Sequence, residues 1–311
     1  MSGYKHIFGP VLSRRLGLSL GVDLVEHKTC SLNCIYCECG NTDRLTIERK
    51  EYVSAQAVIE ELRDFLSRGE ELDYITFSGS GEPTLNTGIG RIIKFLKTEF
   101  PKYKVALLTN GTLFSDDSLI SDVLDVDLII PSLDAVSDEV FRRLNRPHKD
   151  LSVEKIIEGL KNLRKRYNGQ IYLEIFIVPG LNDSDGEIES LSRVARELRP
   201  DRIQLNSLDR PPAVSGVKKA EYSNLLKLAV RFEPVAEVIG RYSPREMNIQ
   251  KSEIMDIIIT TIKRRPCTRE ELRQLLGLRM KEVDETLDRL LQDGRVRIST
   301  GPRGDYILYN E

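Results

Sequence analysis

Residues 28–40 read Lys28-Thr29-Cys30-Ser31-Leu32-Asn33-Cys34-Ile35-Tyr36-Cys37-Glu38-Cys39-Gly40, directly after the first long apolar run of the chain, Leu16–Val25. Four of the five cysteines fall in this one loop. An odd cysteine total, with this clustering, argues against a disulfide framework and for metal or thiol chemistry. Cys30-x3-Cys34-x2-Cys37 offers three thiolates on a short loop, and cysteine thiolates are the usual ligands of iron–sulfur centres. Three protein ligands would leave one iron open. A structural zinc site normally closes a shell of four, from two CxxC-type pairs or from a pair plus histidines. Here there is one CxxC pair, His6, His27 and His148 show no finger spacing, and Cys37-Glu38-Cys39 is too tight for ordinary chelation. From the residues alone, an iron–sulfur site, a zinc site and a redox thiol all stay open, with the first favoured.

Working outward, short β-branched or apolar runs recur at helix-separated intervals. The pattern predicts strands at Leu16–Val25, Tyr74–Phe77, Lys104–Leu108, Asp127–Pro131, Ile171–Val178 and Arg202–Gln204. Amphipathic segments of helical period lie between them: Ser54–Leu66, Ile89–Leu96, Asp116–Leu124, Ser137–Leu144, Val153–Leu163 and Asp185–Leu198. Alternation of this kind implies parallel pairing with right-handed crossovers. The expected fold is α/β, a partial parallel (β/α)6 barrel, with ligands at the C-terminal ends of the strands. The stretch 207–219, SLDRPPAVSGVKK, breaks the pattern and reads as a connecting or rim segment.

A second unit begins near Lys251. Ile254–Ile262 reads as one helix, the next starts at Thr268 as N-cap and ends at Gly277, and Lys281–Leu291 is a third. RVRIST and DYILYN then pair about a Gly-Pro-Arg-Gly turn. Three helices and a ribbon predict a small winged-helix-like α+β domain. The expected division is 1–210 barrel, 211–250 connecting or rim segment, and 251–311 winged-helix-like domain. Cys267, at the entry of the second helix, reads as a lone thiol.

Charge narrows the partners. Lys plus Arg total 46 against 48 Asp plus Glu in 311 residues, a net of −2, which excludes a generally basic nucleic-acid binder. No apolar stretch approaches the ~20 residues of a membrane helix. No secretory signal is visible at the N-terminus, so the expectation is a cytoplasmic protein without membrane contact. Over 251–311, twelve Lys/Arg face eleven Asp/Glu. The third helix carries Glu282, Asp284, Glu285 and Asp288, a face that phosphate would repel. Arg295, Arg297 and Arg303 keep an RNA contact through the ribbon open, but a protein, peptide or dimer contact is favoured. One basic segment, Phe141–Lys149, follows the fourth strand and would lie near the mouth, unless it is simply a solvated helix end. Lys161–Arg166 reads as a helix end, and Arg14, Arg15 and Arg210 would border the pocket.

The C-x3-C-x2-C triplet, with Tyr36 just before its last cysteine and set at the end of the first strand of a βα series, resembles the signature of the radical S-adenosylmethionine (radical SAM) superfamily. Ser78-Gly79-Ser80-Gly81-Glu82-Pro83-Thr84 resembles its GGEP segment; Thr109-Asn110-Gly111 and Ser132-Leu133-Asp134 end the third and fourth strands in order. The likeness covers about residues 10–210. GPVLSRRLGLSLGVD and QLNSLDRPP further resemble the branch related to the wyosine synthases. There are no further cysteine sets for auxiliary clusters and no flavodoxin-like domain.

The resemblance implies a [4Fe-4S] cluster on Cys30, Cys34 and Cys37, whose open iron chelates S-adenosylmethionine. It implies cofactor contacts from Tyr36, Ser80, Gly81, Glu82, Asn110, Ser132, Asp134, Gln204 and Asn206. It also implies reductive cleavage to a 5′-deoxyadenosyl radical that abstracts hydrogen from a substrate, with electrons from an external donor of the flavodoxin or ferredoxin type. Read locally, Glu82-Pro83 is equally a helix entry with Pro at its first position, and Asp134 a helix cap. Glu174, in an apolar strand, is a weaker candidate that must be paired or hydrated if it points inward. Cys39 has no assigned role. The substrate is unidentified, with a tRNA base, a peptide and a small metabolite open. The competing class is a non-catalytic metal- or redox-sensing regulator with the winged helix as its readout.

Overall fold

A computed structural model describes residues 3–13, 15–239, 266–276, 280–301 and 304–310, together with 255, 258, 259, 262 and 263. Arg14, Gly277 and Arg303, and most of the expected helix at 254–262, lie outside the described residues.

In chain order the first strands are β1 (Ile7–Ser13), β2 (Gly17–Val22), β3 (Thr29–Cys30), β4 (Arg44–Leu45), β5 (Tyr74–Phe77), β6 (Lys104–Thr109), β7 (Leu128–Pro131), β8 (Gln170–Phe176), β9 (Arg202–Asn206) and β10 (Glu237–Val238). The main sheet runs β1-β2-β5-β6-β7-β8-β9-β10. Every neighbouring pair from β2 onward is parallel, and β1 alone is antiparallel to its neighbour. The sheet is open, with β1 and β10 at its edges, so the barrel is partial, as the alternation predicts. Two strands of this sheet, β1 and β10, have no counterpart in the sequence pattern. In β1 a Gly-Pro step interrupts the alternation, and β10 is two residues long.

The helices bury one stripe each. In α1 (Ala55–Leu66), Ala55, Val58, Ile59, Leu62, Phe65 and Leu66 are buried at helical spacing, and the Ser54 hydroxyl caps the first turn by accepting from Ala57 N. α2 (Ile89–Glu99), α3 (Asp117–Asp122), α4 (Asp138–Asn145), α5 (Val153–Arg166) and α6 (Asp185–Leu198) follow at the predicted positions. Together with the outer face of the sheet they form one continuous apolar core. A second, smaller layer of Leu16, Ala106, Leu128, Ile130 and Tyr172 lines the inner face. Burial on both faces is why these strands read as nearly unbroken apolar runs.

The stretch assigned from sequence to a connection contributes more than a link. α7 (Tyr222–Ala229) crosses over to β10, which pairs in parallel with β9. The helix has no side-chain cap and the strand is very short, so neither carries a strong local signal.

Beyond residue 266, α8 (Arg269–Leu276) and α9 (Met280–Gln292) pack on a three-stranded sheet ordered β11 (Cys267–Thr268), β13 (Gly304–Tyr309), β12 (Val296–Gly301). Thr268 and Glu271 form a reciprocal capping box: Thr268 Oγ1 accepts from Glu271 N at 3.1 Å and Glu271 Oε2 from Thr268 N at 2.9 Å. This part has its own core, including Ile258, Ile259, Ile262, Leu272, Val283, Leu287 and Ile307. Cys267 is buried within it.

Candidate functional site

The parallel strands end at one rim, and there the cysteine loop lies across them. Thr29 and Cys30 form β3, which pairs with β4 and closes the loop on itself. The loop's backbone is held chiefly by the end of α4. Asn33 N donates to Asn145 O at 3.0 Å and Ile35 N to Leu144 O at 3.0 Å, while His148 N donates to Ser31 O at 3.0 Å. The basic segment Phe141–Lys149 therefore serves as a backbone cradle. Arg142 and Arg143 turn outward to pair with Asp138 and Glu139 one helical turn away.

The thiols of Cys30, Cys34, Cys37 and Cys39 are half-buried and none is in a disulfide. Each member of the triplet faces an N–H donor from elsewhere. Asn110 Nδ2 lies 3.4 Å from Cys30 Sγ, Asn145 Nδ2 3.4 Å from Cys34 Sγ, and Lys28 Nζ 3.2 Å from Cys37 Sγ. Burial pushes the Cys30 thiol up to about 12, with the Glu82 charge adding, and pushes Cys34 well above its ordinary value. Cys37 is lowered to about 5, first by the hydrogen bond from Cys39 and then by the Lys28 ammonium. Cys37 also raises both Cys30 and Cys34 by charge repulsion, so the three sulfurs sit within one electrostatic neighbourhood. Among the described residues no three His, Cys, Asp or Glu side chains close on a single ion.

Beside the loop is a cavity lined by Tyr36, Asn110, Ser132, Asp134, Phe141 and Asn145, among others. The fold thus brings four of the sequence-predicted residues, Tyr36, Asn110, Ser132 and Asp134, around one space. Tyr36 stacks on Phe176 at 4.0 Å and its hydroxyl donates to Asp134. Asp134 also accepts from Asn145 Nδ2 and Phe176 N, both at 2.8 Å. Its carboxylate therefore ties the cysteine loop, α4 and β8 together rather than capping α4, whose N-cap is Ser137. Burial lifts Asp134 to about 6 against those hydrogen bonds.

The β5 turn is built differently. Ser80 donates from both N and Oγ to Asp23, at 3.1 and 2.9 Å. Gly81 lies so close to β3 that a Cβ there would stand 2.0 Å from Thr29 O. Glu82 is 2% exposed and spans two strand ends: Oε1 accepts from Thr84 Oγ1 at 2.6 Å and Thr109 Oγ1 at 2.7 Å, and Oε2 from Asn110 N at 2.7 Å. Glu82 N-caps the short 3-10 turn Pro83–Leu85, so the helix-entry reading of this segment describes its local structure. Gln204 and Asn206 stand apart from the cavity lining, on β9. Asn206 Nδ2 donates to Glu174 at 2.7 Å, and Glu174 pairs with Arg15 at 2.6 Å, so the inward carboxylate is paired. Gln204 Nε2 lies 3.5 Å from Glu237.

Sequence reasoning passed over Lys28, Asp23, Asn145 and Glu38. Glu38, between Cys37 and Cys39, accepts from Asp209 N at 2.8 Å and Arg210 N at 3.0 Å, and pairs with the Arg210 guanidinium at 2.7 Å. Arg210 Nε in turn donates to Pro266 O at 2.8 Å, joining the loop to the C-terminal part.

The donor set fits a cluster with three protein ligands: three thiols on one loop, each met by an N–H group. Asn145 Oδ1, buried beside Cys34 and without a hydrogen-bond partner, offers an acceptor at the cavity. A family model described as the radical SAM superfamily matches residues 27–191. The chain belongs to the radical SAM superfamily. It is 30% identical over 298 residues to a UPF0026 protein of Methanocaldococcus jannaschii, covering 93% of this chain and 91% of that one. It is 34% identical to a protein named GTPase Obg of Brachyspira hyodysenteriae, over 94% of this chain but only 43% of that protein's length. The fold matches TYW1, a wyosine synthase, in a structure with a lysine-pyruvate adduct bound, at TM-score 0.51 and 19% identity over 70% and 74% of the two chains. This radical SAM protein is an iron–sulfur enzyme, and its cofactors are a [4Fe-4S] cluster and S-adenosylmethionine. Such enzymes require an electron donor and a substrate. The regulator reading draws no support from the comparisons. No helix among the described residues is long and apolar enough to cross a membrane.

Proposed function

We propose that Cys30, Cys34 and Cys37 hold the cluster and that the adjoining cavity receives S-adenosylmethionine. The observation that carries this reading is the convergence of donors on the triplet: Asn110 just after β6, Asn145 at the end of α4 and Lys28 at the loop entry each direct an N–H group at a different sulfur. When bound, the pair of cofactors supplies a reductively generated 5′-deoxyadenosyl radical for hydrogen abstraction from the substrate. The chain's own residues hold and orient. Asn145 Oδ1 and the half-buried Ser132 present oxygens to the ligand, Tyr36 and Phe176 form an apolar wall, and Gly81 lets the β5 turn approach the cysteine loop closely. Glu82 and Asp134 act through the residues they position. Glu174 on β8, Gln204 and Asn206 on β9, and Arg15 from the β1–β2 turn border the substrate side, where a tRNA base, a peptide or a small metabolite would be held.

Residues 1–210 with α7 and β10 form the catalytic unit in this reading, and 251–311 a winged-helix-like unit for contact with protein, peptide or RNA. Arg269 pairs with Asp284 at 2.5 Å and Asp288 at 3.3 Å, partly neutralising the acidic face of α9. The protein is expected in the cytoplasm, where a flavodoxin- or ferredoxin-type donor would supply the electron. The test is anaerobic reconstitution with iron and sulfide of single Ala variants. Cys30→Ala, Cys34→Ala and Cys37→Ala are each expected to lose the iron-dependent absorbance, and Cys39→Ala to keep it. Full iron content in any of the three would refute the ligand assignment.

A further inference from the structure

Lys28 violates two local preferences at once. It is 3% exposed, yet among the described residues its ammonium meets no carboxylate; its hydrogen bond runs to Cys37 Sγ at 3.2 Å. Its backbone sits at φ 52°, a left-handed conformation that side-chain-bearing residues rarely adopt. The backbone is pinned there by Asp43 N and Arg44 N, both donating to Lys28 O at 3.1 Å. Burying a cation with no carboxylate beside it is costly, and strained backbone persists only where the surroundings enforce it. The fold thus gives up stability twice to place one positive charge beside the thiols.

We propose that Lys28 is the fixed counter-ion of the cluster, a positioning residue that holds the reduction potential of the centre up through its contact with Cys37 Sγ. This rests on the cysteine assignment above. On reduction, one electron enters from the donor and no proton moves: Lys28 keeps its charge throughout, and the centre becomes more negative by one unit. A cation at hydrogen-bond distance in a water-poor site favours the more negative state. Hydrogen bonds to the sulfurs and net charge are among the levers that set such potentials. In the cluster-free chain the same ammonium faces the Cys37 sulfur at 3.2 Å. A role confined to packing would leave the midpoint of the loaded protein unmoved, and would not distinguish a neutral side chain from a cationic one at position 28.

Lys28→Met and Lys28→Arg, made in the full chain, separate these roles. In the anaerobically reconstituted proteins, a redox titration followed by electron paramagnetic resonance reads the midpoint, with iron content measured alongside. Lys28→Met is expected to lower the reduced-to-oxidised ratio at a fixed poise at least about tenfold, a shift of ~59 mV for a one-electron couple. Lys28→Arg is expected to restore most of it. Iron uptake gives the second readout: Lys28→Arg should take up iron like the parent, and any loss of uptake should be confined to Lys28→Met. An unchanged midpoint at full iron content in Lys28→Met, a midpoint that falls as far in Lys28→Arg as in Lys28→Met, or equal loss of iron from both variants overturns the proposal. Failure of the parent chain to bind a cluster overturns the cysteine assignment and this inference with it.

Discussion

At the scale of the residue, the site depends on close approaches that leave little room for change. Gly81 is the clearest case, since any Cβ there would meet the Thr29 carbonyl at 2.0 Å, next to Cys30. Gly81→Ala is expected to destabilise the fold by about 3 kcal/mol, in the range of backbone-clash substitutions, and to reduce iron uptake several-fold. Thermal unfolding and iron analysis read the two effects. Asn145 bonds Cys34 and Asp134 through Nδ2 and leaves Oδ1 at the cavity. Asn145→Ala should weaken S-adenosylmethionine binding about tenfold, the loss of roughly 1.4 kcal/mol expected for one hydrogen bond to a charged group. Calorimetric titration of the reconstituted protein measures it. The cysteine triplet was legible because its spacing is local. Asn145 and Lys28 were not, because nothing in their flanking sequence says that the chain will bring them to a sulfur.

At the scale of the element, all six parallel strands and all six helices read from the sequence between residues 16 and 206 are present, with ends displaced by a few residues. Their legibility follows from burial: strands covered on both faces read as apolar runs, and helices with one buried stripe keep a clean period. β1 and β10 escaped because edge strands carry weaker patterns, one interrupted by Gly9-Pro10 and the other only two residues long. The strand ends are coupled by side chains more than by loops. Glu82 fastens the end of β5 to that of β6 through Thr109 and Asn110 N. Glu82→Ala would strand those buried donors, and the expected cost is about 3 kcal/mol, read from denaturant unfolding of the cluster-free chain. Burial holds the Glu82 carboxyl above its ordinary pKa despite these bonds, so Glu82→Gln should cost less than Glu82→Ala.

At the scale of the whole molecule, Arg210 joins the parts. It is 3% exposed and bonds Glu38 in the cysteine loop and the Pro266 carbonyl, with Glu271 3.7 Å away at the head of α8. Removing one partner of a buried ion pair leaves the other charges uncompensated, and such losses run to about 3–5 kcal/mol. Arg210→Ala is therefore expected to lower the unfolding midpoint strongly, with Arg210→Lys recovering part of it. An unchanged midpoint would mean that the loop and the C-terminal part stand independently. The sequence places Arg210 near the pocket, but its reach to residue 266 depends on how the two parts pack, which no local pattern encodes. The central claim, that this loop and cavity make a radical-generating site, is tested most directly by one assay. The reconstituted protein is reduced anaerobically with S-adenosylmethionine, and 5′-deoxyadenosine is quantified by chromatography. The account predicts reductant-dependent 5′-deoxyadenosine from the parent and none from Cys34→Ala; a parent that binds the cluster and S-adenosylmethionine yet forms none would contradict it.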